Sequence, residues 1–487
     1  MTVSTQLIDY IGMKIEFTDE NIARLFGSED AESESIDRLK QYFLKKDTYS
    51  SVTSNLKLRI LVGHKGTGKS ALFKVAMNED QSNNNLPILI KPDDVREIAT
   101  DRSEFNLRIR QWKEGLISII KNKVFSAFDI SDDGNKYIPM TCKLISFLVD
   151  TFSKINLSAN LDPTKQKLYE KFLTKRQIIV YIDDLDRGWN GSPEDIERIS
   201  ALLNAVRDLS NDNDGLLFKI SLRTDVYYLV RTSDESTDKI ENSVVWCDWE
   251  NHEIFVLLIK RILTFFGIGF DEDELLQTNQ SELSKNLDHI MDTTFYGKGK
   301  WINRPMYNVL LSLIRRRPRD MVKLCTLAAK RAYKYNSNKI LTYHLNSIFS
   351  EYSQGRMQDT INEYKSELPN IKSLLFGMKP NSKQNKQGKS FVYTYGELIQ
   401  KLKSISNSSH ILNIRQERLT AEQMAEFLYK INFITATKKT DKGIDRKYFE
   451  TNQYLLSAHV NFGYDWEIHP AFRWALQPDF NLLYNES

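Results

Sequence analysis

Short, almost unbroken apolar runs alternate with longer stretches of helical periodicity through the first half of the chain. Leu58–Val62, Pro87–Ile90, Ile178–Ile182 and Leu216–Leu222 lack the every-other-residue polarity of a half-solvated strand, which suits strands buried on both faces. Between them, Leu107–Phe128 and Leu144–Ile155 repeat apolar residues at helical spacing. Strands alternating with helices imply a parallel sheet covered on both sides. Ser192-Pro193-Glu194-Asp195 is a helix start, with serine as N-cap, proline in the first turn and an acid at the third position. That helix should run to about Leu209 and end in the polar turn Ser210-Asn211-Asp212-Asn213-Asp214-Gly215.

The flanks read differently. Residues 1–55 form a helical lead-in with Ile36, Leu39, Tyr42 and Phe43 at helical spacing, and Trp246–Tyr352 reads as helix throughout. Gly377–Lys389 has the composition of a linker or mobile loop. Beyond it, Tyr395–Ser404 and Ala421–Ile431 read as helices, and Phe433–Thr437 and Tyr448–Tyr454 as strands. Helices followed by a hairpin suggest a winged helix. The expected organisation is a lead-in at 1–55, a core at 56–245, a helical lid at 246–376, a linker at 377–390 and a basic winged-helix-like domain at 391–487.

The chemistry lies at the ends of two of the predicted strands. Gly63-His64-Lys65-Gly66-Thr67-Gly68-Lys69-Ser70 matches G-x-x-x-x-G-K-[ST] without a mismatch. It follows the Leu58–Val62 run and precedes Ala71–Met77, which reads as a helix. Glycines let the backbone turn its N–H groups onto phosphates, and a helix N-terminus adds a positive dipole end. Gly63 through Ala71 would thus cradle a nucleotide, with Lys69 on the β- and γ-phosphates and the Ser70 hydroxyl on Mg²⁺. A chance glycine-rich turn is the bland alternative, and the matching flanks weigh against it. Ile178–Ile182 ends in Asp183-Asp184, at the carboxyl edge where ligands of parallel sheets bind. Asp183 would hold the metal, and Asp184 would polarise the attacking water. Leu216–Leu222 ends in Arg223-Thr224-Asp225, and Arg223 is the candidate to sense a γ-phosphate; a surface arginine capping the strand is the other reading. The expected cofactors are ATP and Mg²⁺.

Composition narrows the setting. The 487 residues are 41% apolar and 27% charged, as in a soluble globular protein of two or three domains. No apolar stretch approaches about eighteen residues, so no transmembrane helix is expected, and Met1–Ile11 lacks the pattern of a secretory signal. The three cysteines, Cys142, Cys247 and Cys325, are far apart, which fits reduced thiols in a cytoplasm. Net charge is only +3, yet Lys379–Glu450 carries fourteen Lys/Arg against seven Asp/Glu. A basic segment of this kind would contact phosphates and make DNA binding steeply salt-dependent. No H-E-x-x-H, paired C-x-x-C or G-x-S-x-G pattern marks a second catalytic centre.

Taken together, these motifs resemble the ASCE division of P-loop ATPases, nearest the STAND and KAP branches and the initiator-type AAA+ proteins. The similarity covers roughly residues 20–335. Ile182-Asp183-Asp184-Leu185-Asp186-Arg187 is close to the KAP signature D-D-L-D-R. Leu25-Phe26-Gly27-Ser28-Glu29 is similar to the family's adenine-contacting segment, which implies an adenine contact at Phe26, with Ser28 where the family has arginine. Arg315-Arg316-Arg317-Pro318-Arg319-Asp320 resembles the family's R-P-R-D lid stretch, so Arg317 or Arg319 would reach the phosphates; a solvated or nucleic-acid-binding basic surface is the other reading. Arg187 reads either as a finger acting in trans or as a partner of Asp184 or Asp186.

The fold class implied is an α/β P-loop NTPase core followed by a helical lid and a winged helix. The resemblance implies an ATP-binding, slowly hydrolysing switch assembling with itself or an effector partner in a bacterial conflict or anti-phage defence system. The alternative is a DNA-associated AAA+-like ATPase, of initiator or transposition-regulator type, that binds DNA through its basic C-terminal domain.

Overall fold

The structure, a computed structural model, describes residues 15–28, 32–98, 104–129, 177–189, 191–213, 215–233, 235–297, 299–380, 391–413, 416–440, 443–453, 455–456 and 463–477. The chain divides into two units. One spans Ala31–Cys247, and the other joins the N-terminal stretch, up to Asp30, to the chain from Asp248 onward.

The Ala31–Cys247 unit is built on five strands: β1 (Leu58–Val62), β2 (Leu86–Ile90), β3 (Ile178–Ile182), β4 (Leu216–Leu222) and β5 (Val244–Trp246). They lie in the order β2-β3-β4-β1-β5, every neighbouring pair parallel. The apolar runs become strands because both faces are covered. Ile60, Val62, Val180, Ile182, Phe218 and Ile220 face Trp112, Leu116 and Leu202 of the Phe105–Asp129 and Pro193–Asp212 helices. Leu61, Ile179, Tyr181 and Leu217 face the other way, toward Leu72, Phe73 and Val75 of the Lys69–Ser82 helix and Tyr49 and Val52 of the Asp47–Thr53 helix. Burial of these alternating sets is the main stabilising term, at about 25 cal/mol per Å² of apolar surface removed from water.

The four expected strands form, three of them with the expected bounds and the second one residue longer. Ser192 caps its helix as foreseen, its hydroxyl accepting from the Asp195 amide at 3.1 Å. β5 was not foreseen; three residues after a 3₁₀ turn, Glu235–Ser243, leave no periodic signal. The expected helix at Leu144–Ile155 lies outside the described residues.

The other unit is mainly helical. Its Asp19–Phe26 helix packs on the Asn251–Phe266 and Pro318–Lys334 helices, so the lead-in is shared between the units rather than forming one segment. Among the described residues, the stretch from Asp248 to Tyr352 is helical except for turns and a two-residue pair, β6 (Thr294–Phe295) and β7 (Arg304–Pro305), whereas Trp246 ends β5; the last helix of the stretch, Thr342–Tyr364, runs well past Tyr352. At the C-terminal end, β8 (Val392–Tyr393), β9 (Ile434–Thr440), β10 (Gly443–Lys447) and β11 (Asp465–Ile468) make an antiparallel sheet in the order β10-β9-β11-β8, beside the Tyr395–Ser408 and Ala421–Lys430 helices. The second hairpin strand is Gly443–Lys447, not Tyr448–Tyr454: Thr440 pairs with Gly443, so the chain reverses earlier, and Phe449–Thr451 is a 3₁₀ turn.

One apolar cluster runs from Met357 and Tyr364 through Ile371 and Leu375 to Leu402, Leu428, Trp466 and Leu476. A Cβ added to Gly377 would lie 2.9 Å from Ile405. The end of the 246–376 stretch, from Met357 onward, thus shares a core with described residues between Phe391 and Leu476. Residues 381–390 of the expected linker lie outside the described residues.

Candidate functional site

The order β3-β4-β1 brings three chain segments to one edge of the parallel sheet. The glycine-rich loop leaves β1, Asp183-Asp184 leaves β3 and Arg223 leaves β4. Because the strands are parallel, all three emerge at their carboxyl ends.

The loop is held by hydrogen bonds to its own carbonyls and to β4. The Gly63 amide donates to the Leu222 carbonyl at 3.2 Å, the Thr67 hydroxyl to the His64 carbonyl at 2.9 Å, and the Cys247 thiol to the Thr67 carbonyl at 3.5 Å. Lys69 Nζ donates to the carbonyls of Gly63 at 2.7 Å and His64 at 3.2 Å. Gly66 and Gly68 have φ of 86° and 96°, in the left-handed region that costs a side-chain-bearing residue about 1–2 kcal/mol. Gly68 caps the Lys69–Ser82 helix, whose first-turn N–H groups lack intrahelical acceptors and suit an anion. Lys65 is exposed, while Gly66, Lys69, Ser70 and Ala71 are partly buried. His64 is buried.

Gly63 is fixed by space rather than dihedral. A Cβ there would sit 2.8 Å from both Cys247 Cβ and Thr67 Oγ1. Gly63→Ala should therefore destabilise the protein by about 1–3 kcal/mol through overpacking, read by urea denaturation; an unchanged midpoint would show that the loop yields without cost.

Asp183 is buried and anchored by several contacts. Its amide donates to the Ile90 carbonyl at 3.2 Å, and its carboxylate accepts from the Ser221 hydroxyl and, at 3.0 Å, from the Asp184 amide. Asp184 has φ of 59°, a conformation that aspartate tolerates better than most residues and that recurs at functional sites. Partial desolvation, then repulsion from Asp186 and Asp183, pushes its carboxyl up to about 6. Since the residue as a whole is exposed, crowding by like charge is the firmer of these causes.

Arg223 is forked. Its NH1 lies 3.2 Å from Asp186, and its Nε lies 3.0 Å from Asp225, which a second nitrogen also contacts. Burial pushes the Asp186 carboxyl up, and the charges of Arg223 and Lys69 oppose that rise. Asp186 is thus engaged by Arg223, while Arg187 is exposed and its charge favours ionisation of Asp184. Ser221 on Asp183 and Asp186 on Arg223 were not assigned from sequence, nor were the contacts of Asp225 and Cys247. The first two had a readable signal: Ser221 stands two residues before Arg223 on the same strand, and Asp186 is the third acid of D-D-L-D-R.

Phe26 and Arg319 belong to the unit that does not contain the loop. Phe26 is buried at the end of its helix, and Gly27 and Ser28 line a shallow cleft with Asp19, Ile22, Ala23, Thr326 and Lys330. Arg319 is half-buried. Arg317 is buried and donates to Glu363 at 2.9 Å, and Arg315 grips Asp320 at 2.8 and 3.0 Å. These two guanidiniums are therefore not a solvated basic surface.

No protein-family model matches the chain. It is similar to the putative transposon gamma-delta 80.3 kDa protein of Escherichia coli (strain K12), with 20% identity over 506 residues covering 94% of this chain and 68% of that protein. A stretch making up 27% of the chain is 30% identical, over 154 residues, to the ciliary dynein beta chain of Tripneustes gratilla, covering 3% of that protein. Among solved structures, the Aeropyrum pernix ORC2 protein aligns with a TM-score of 0.39 at 10% identity, over 85% of this chain and 83% of its own. The Thermotoga maritima RuvB Holliday junction branch migration motor aligns at 0.35 with 11% identity, over 87% of this chain and 98% of its own. The parallel sheet in the order β2-β3-β4-β1-β5, with its loop between β1 and a helix and helices on both faces, is a P-loop NTPase fold.

Proposed function

We propose that the chain is an ATPase that binds ATP with Mg²⁺ on the Gly63–Ser70 loop and works in association with DNA. The observation that supports hydrolysis is the convergence of Lys69, Asp183, Asp184 and Arg223 at one sheet edge. The cradle suits a phosphate chain: Gly63 has no room for a side chain, and Gly66 and Gly68 turn the backbone through left-handed angles. Ser70 and Asp183 offer hard oxygen donors of the kind magnesium takes. Bound there, the ion would neutralise charge on the transferring phosphoryl group. Lys69 would exchange its loop carbonyls for phosphate oxygens, Asp184 would orient the attacking water, and Arg223 would leave its acids for the γ-phosphate.

Association with DNA ranks above the switch in a defence system that the sequence put first. The Escherichia coli relative that aligns with 94% of the chain is described as a transposon protein, and the C-terminal helices and β9–β10 hairpin fit a winged helix with Lys438 and Lys447 on the hairpin, while Arg446 is taken up by Glu467. The narrower STAND and KAP resemblance stays attached to the switch reading, which the forked Arg223 favours, since a residue with two sets of partners can report which is present.

Turnover should rise with pH around an apparent pKa near 6, because Asp184 must be ionised and its carboxyl is pushed up to about 6. Asp184→Asn should remove that limb and lower turnover by on the order of 10²-fold or more. Duplex DNA at low salt should accelerate hydrolysis, with the acceleration fading as salt rises. Turnover indifferent to DNA would return the lead to the switch, and an Asp184→Asn variant as active as the parent would end the hydrolytic assignment.

A further inference from the structure

We propose that the turn between the Pro318–Lys334 and Thr342–Tyr364 helices, together with the β6–β7 loop, is a stacking surface for single-stranded nucleic acid. Tyr296 is 69% exposed, Tyr343 54%, Tyr335 50% and Tyr333 48%. Surfaces normally scatter such residues singly, and here they share one neighbourhood. The Tyr335 and Tyr343 rings meet edge to face at 5.3 Å, and the Tyr343 hydroxyl donates to that of Tyr335 at 2.9 Å. Both rings flank buried His344, at 5.9 and 5.7 Å, and His344 Nδ1 accepts from the Leu341 amide at 3.0 Å, which fixes the turn. The Tyr296 amide donates to Thr342 Oγ1 at 3.0 Å, tying the β6–β7 loop to the same place.

Charge decides what such a surface fits. Lys334 lies between Tyr333 and Tyr335 in sequence, and Arg304 sits on β7; both are exposed. The acids nearby in the unit are engaged: Asp292 accepts from the Thr342 amide at 2.9 Å, Glu351 contacts Arg331 at 3.8 Å and Asp288 contacts Lys339 at 2.6 Å. Protein interfaces deplete lysine at their centres. Single-strand binders combine aromatic platforms for bases with cations for the backbone. A strand of nucleotides therefore fits better than a protein face. The surface involves neither the phosphate loop nor the basic C-terminal region, so it stands apart from the proposed ATPase activity.

The test uses the full chain and a fluorescein-labelled oligothymidylate of about twenty nucleotides, read by anisotropy at low salt. Tyr335→Ala with Tyr343→Ala should weaken binding about tenfold or more, with the thermal melt unchanged. Tyr335→Phe with Tyr343→Phe keeps the rings and should bind within about twofold of the parent. Lys334→Ala should weaken binding and flatten the salt slope by about one. Absence of binding by the parent, or equal binding by the double alanine variant, overturns the proposal. A double alanine variant that changes elution from oligomer to monomer while binding the oligonucleotide normally also overturns it and makes the surface a protein interface.

Discussion

Lys69→Ala is expected to lower ATP turnover by on the order of 10²- to 10³-fold, the usual loss when a preorganised charge facing a reacting oxyanion is removed. Nucleotide affinity, measured with a fluorescent ATP analogue, should fall with it. Two features make the result interpretable. Lys69 donates to the Gly63 and His64 carbonyls, two hydrogen bonds worth about 1–3 kcal/mol together, so the variant should remain folded. Its charge also favours ionisation of Asp186, so the variant should titrate that acid differently. A folded Lys69→Ala protein with unchanged turnover and affinity would remove the loop from the mechanism.

The second large effect is on stability. Asp320→Ala should cost about 3–5 kcal/mol, because it leaves charged partners buried without their counter-ion. Asp320 is completely buried. Arg315 holds both of its oxygens, at 2.8 and 3.0 Å, and Arg356 adds a contact at 2.6 Å. Burial opposes ionisation, but Arg315 and Arg356 outweigh it and hold the carboxyl well below the usual carboxylate range. The sign follows from linkage: a depressed folded pKa stabilises the protein above the unfolded value and loses that contribution as pH falls. Wild-type stability should thus drop steadily below about pH 4, and the Asp320→Ala variant should show a flatter acid limb. Guanidinium denaturation at a series of pH values reads both; equal midpoints for the two proteins would show that the cluster carries no net stability.

How much of this was legible depended on the kind of signal. Strands β1, β3 and β4 were readable to the residue because burial on both faces forces an unbroken apolar run, and the phosphate loop because its dihedral demands restrict residue choice. Other features depend on contacts distant in sequence. Asp19–Phe26 looks like part of a continuous lead-in, yet its apolar face belongs with helices more than two hundred residues later. Arg315, Arg317 and Arg356 look like surface charges because a linear pattern cannot show that Asp320 and Glu363 wait for them inside. The fork on Arg223 was hidden because it needs Asp186 from the turn after β3 and Asp225 from the helix after β4 at once.

The shared core of the second unit has a mechanical meaning. The Thr342–Tyr364 helix gives Arg356, Thr360 and Glu363 to the ionic cluster and Met357 and Tyr364 to the apolar cluster that reaches Leu476. The amide of Ala475 donates to Ser353 on the same helix at 2.9 Å. The Thr342–Tyr364 helix and the described part of the C-terminal sheet therefore belong to one packed body. Displacing that helix would therefore disturb the Asp320 ionic cluster and the C-terminal apolar cluster together.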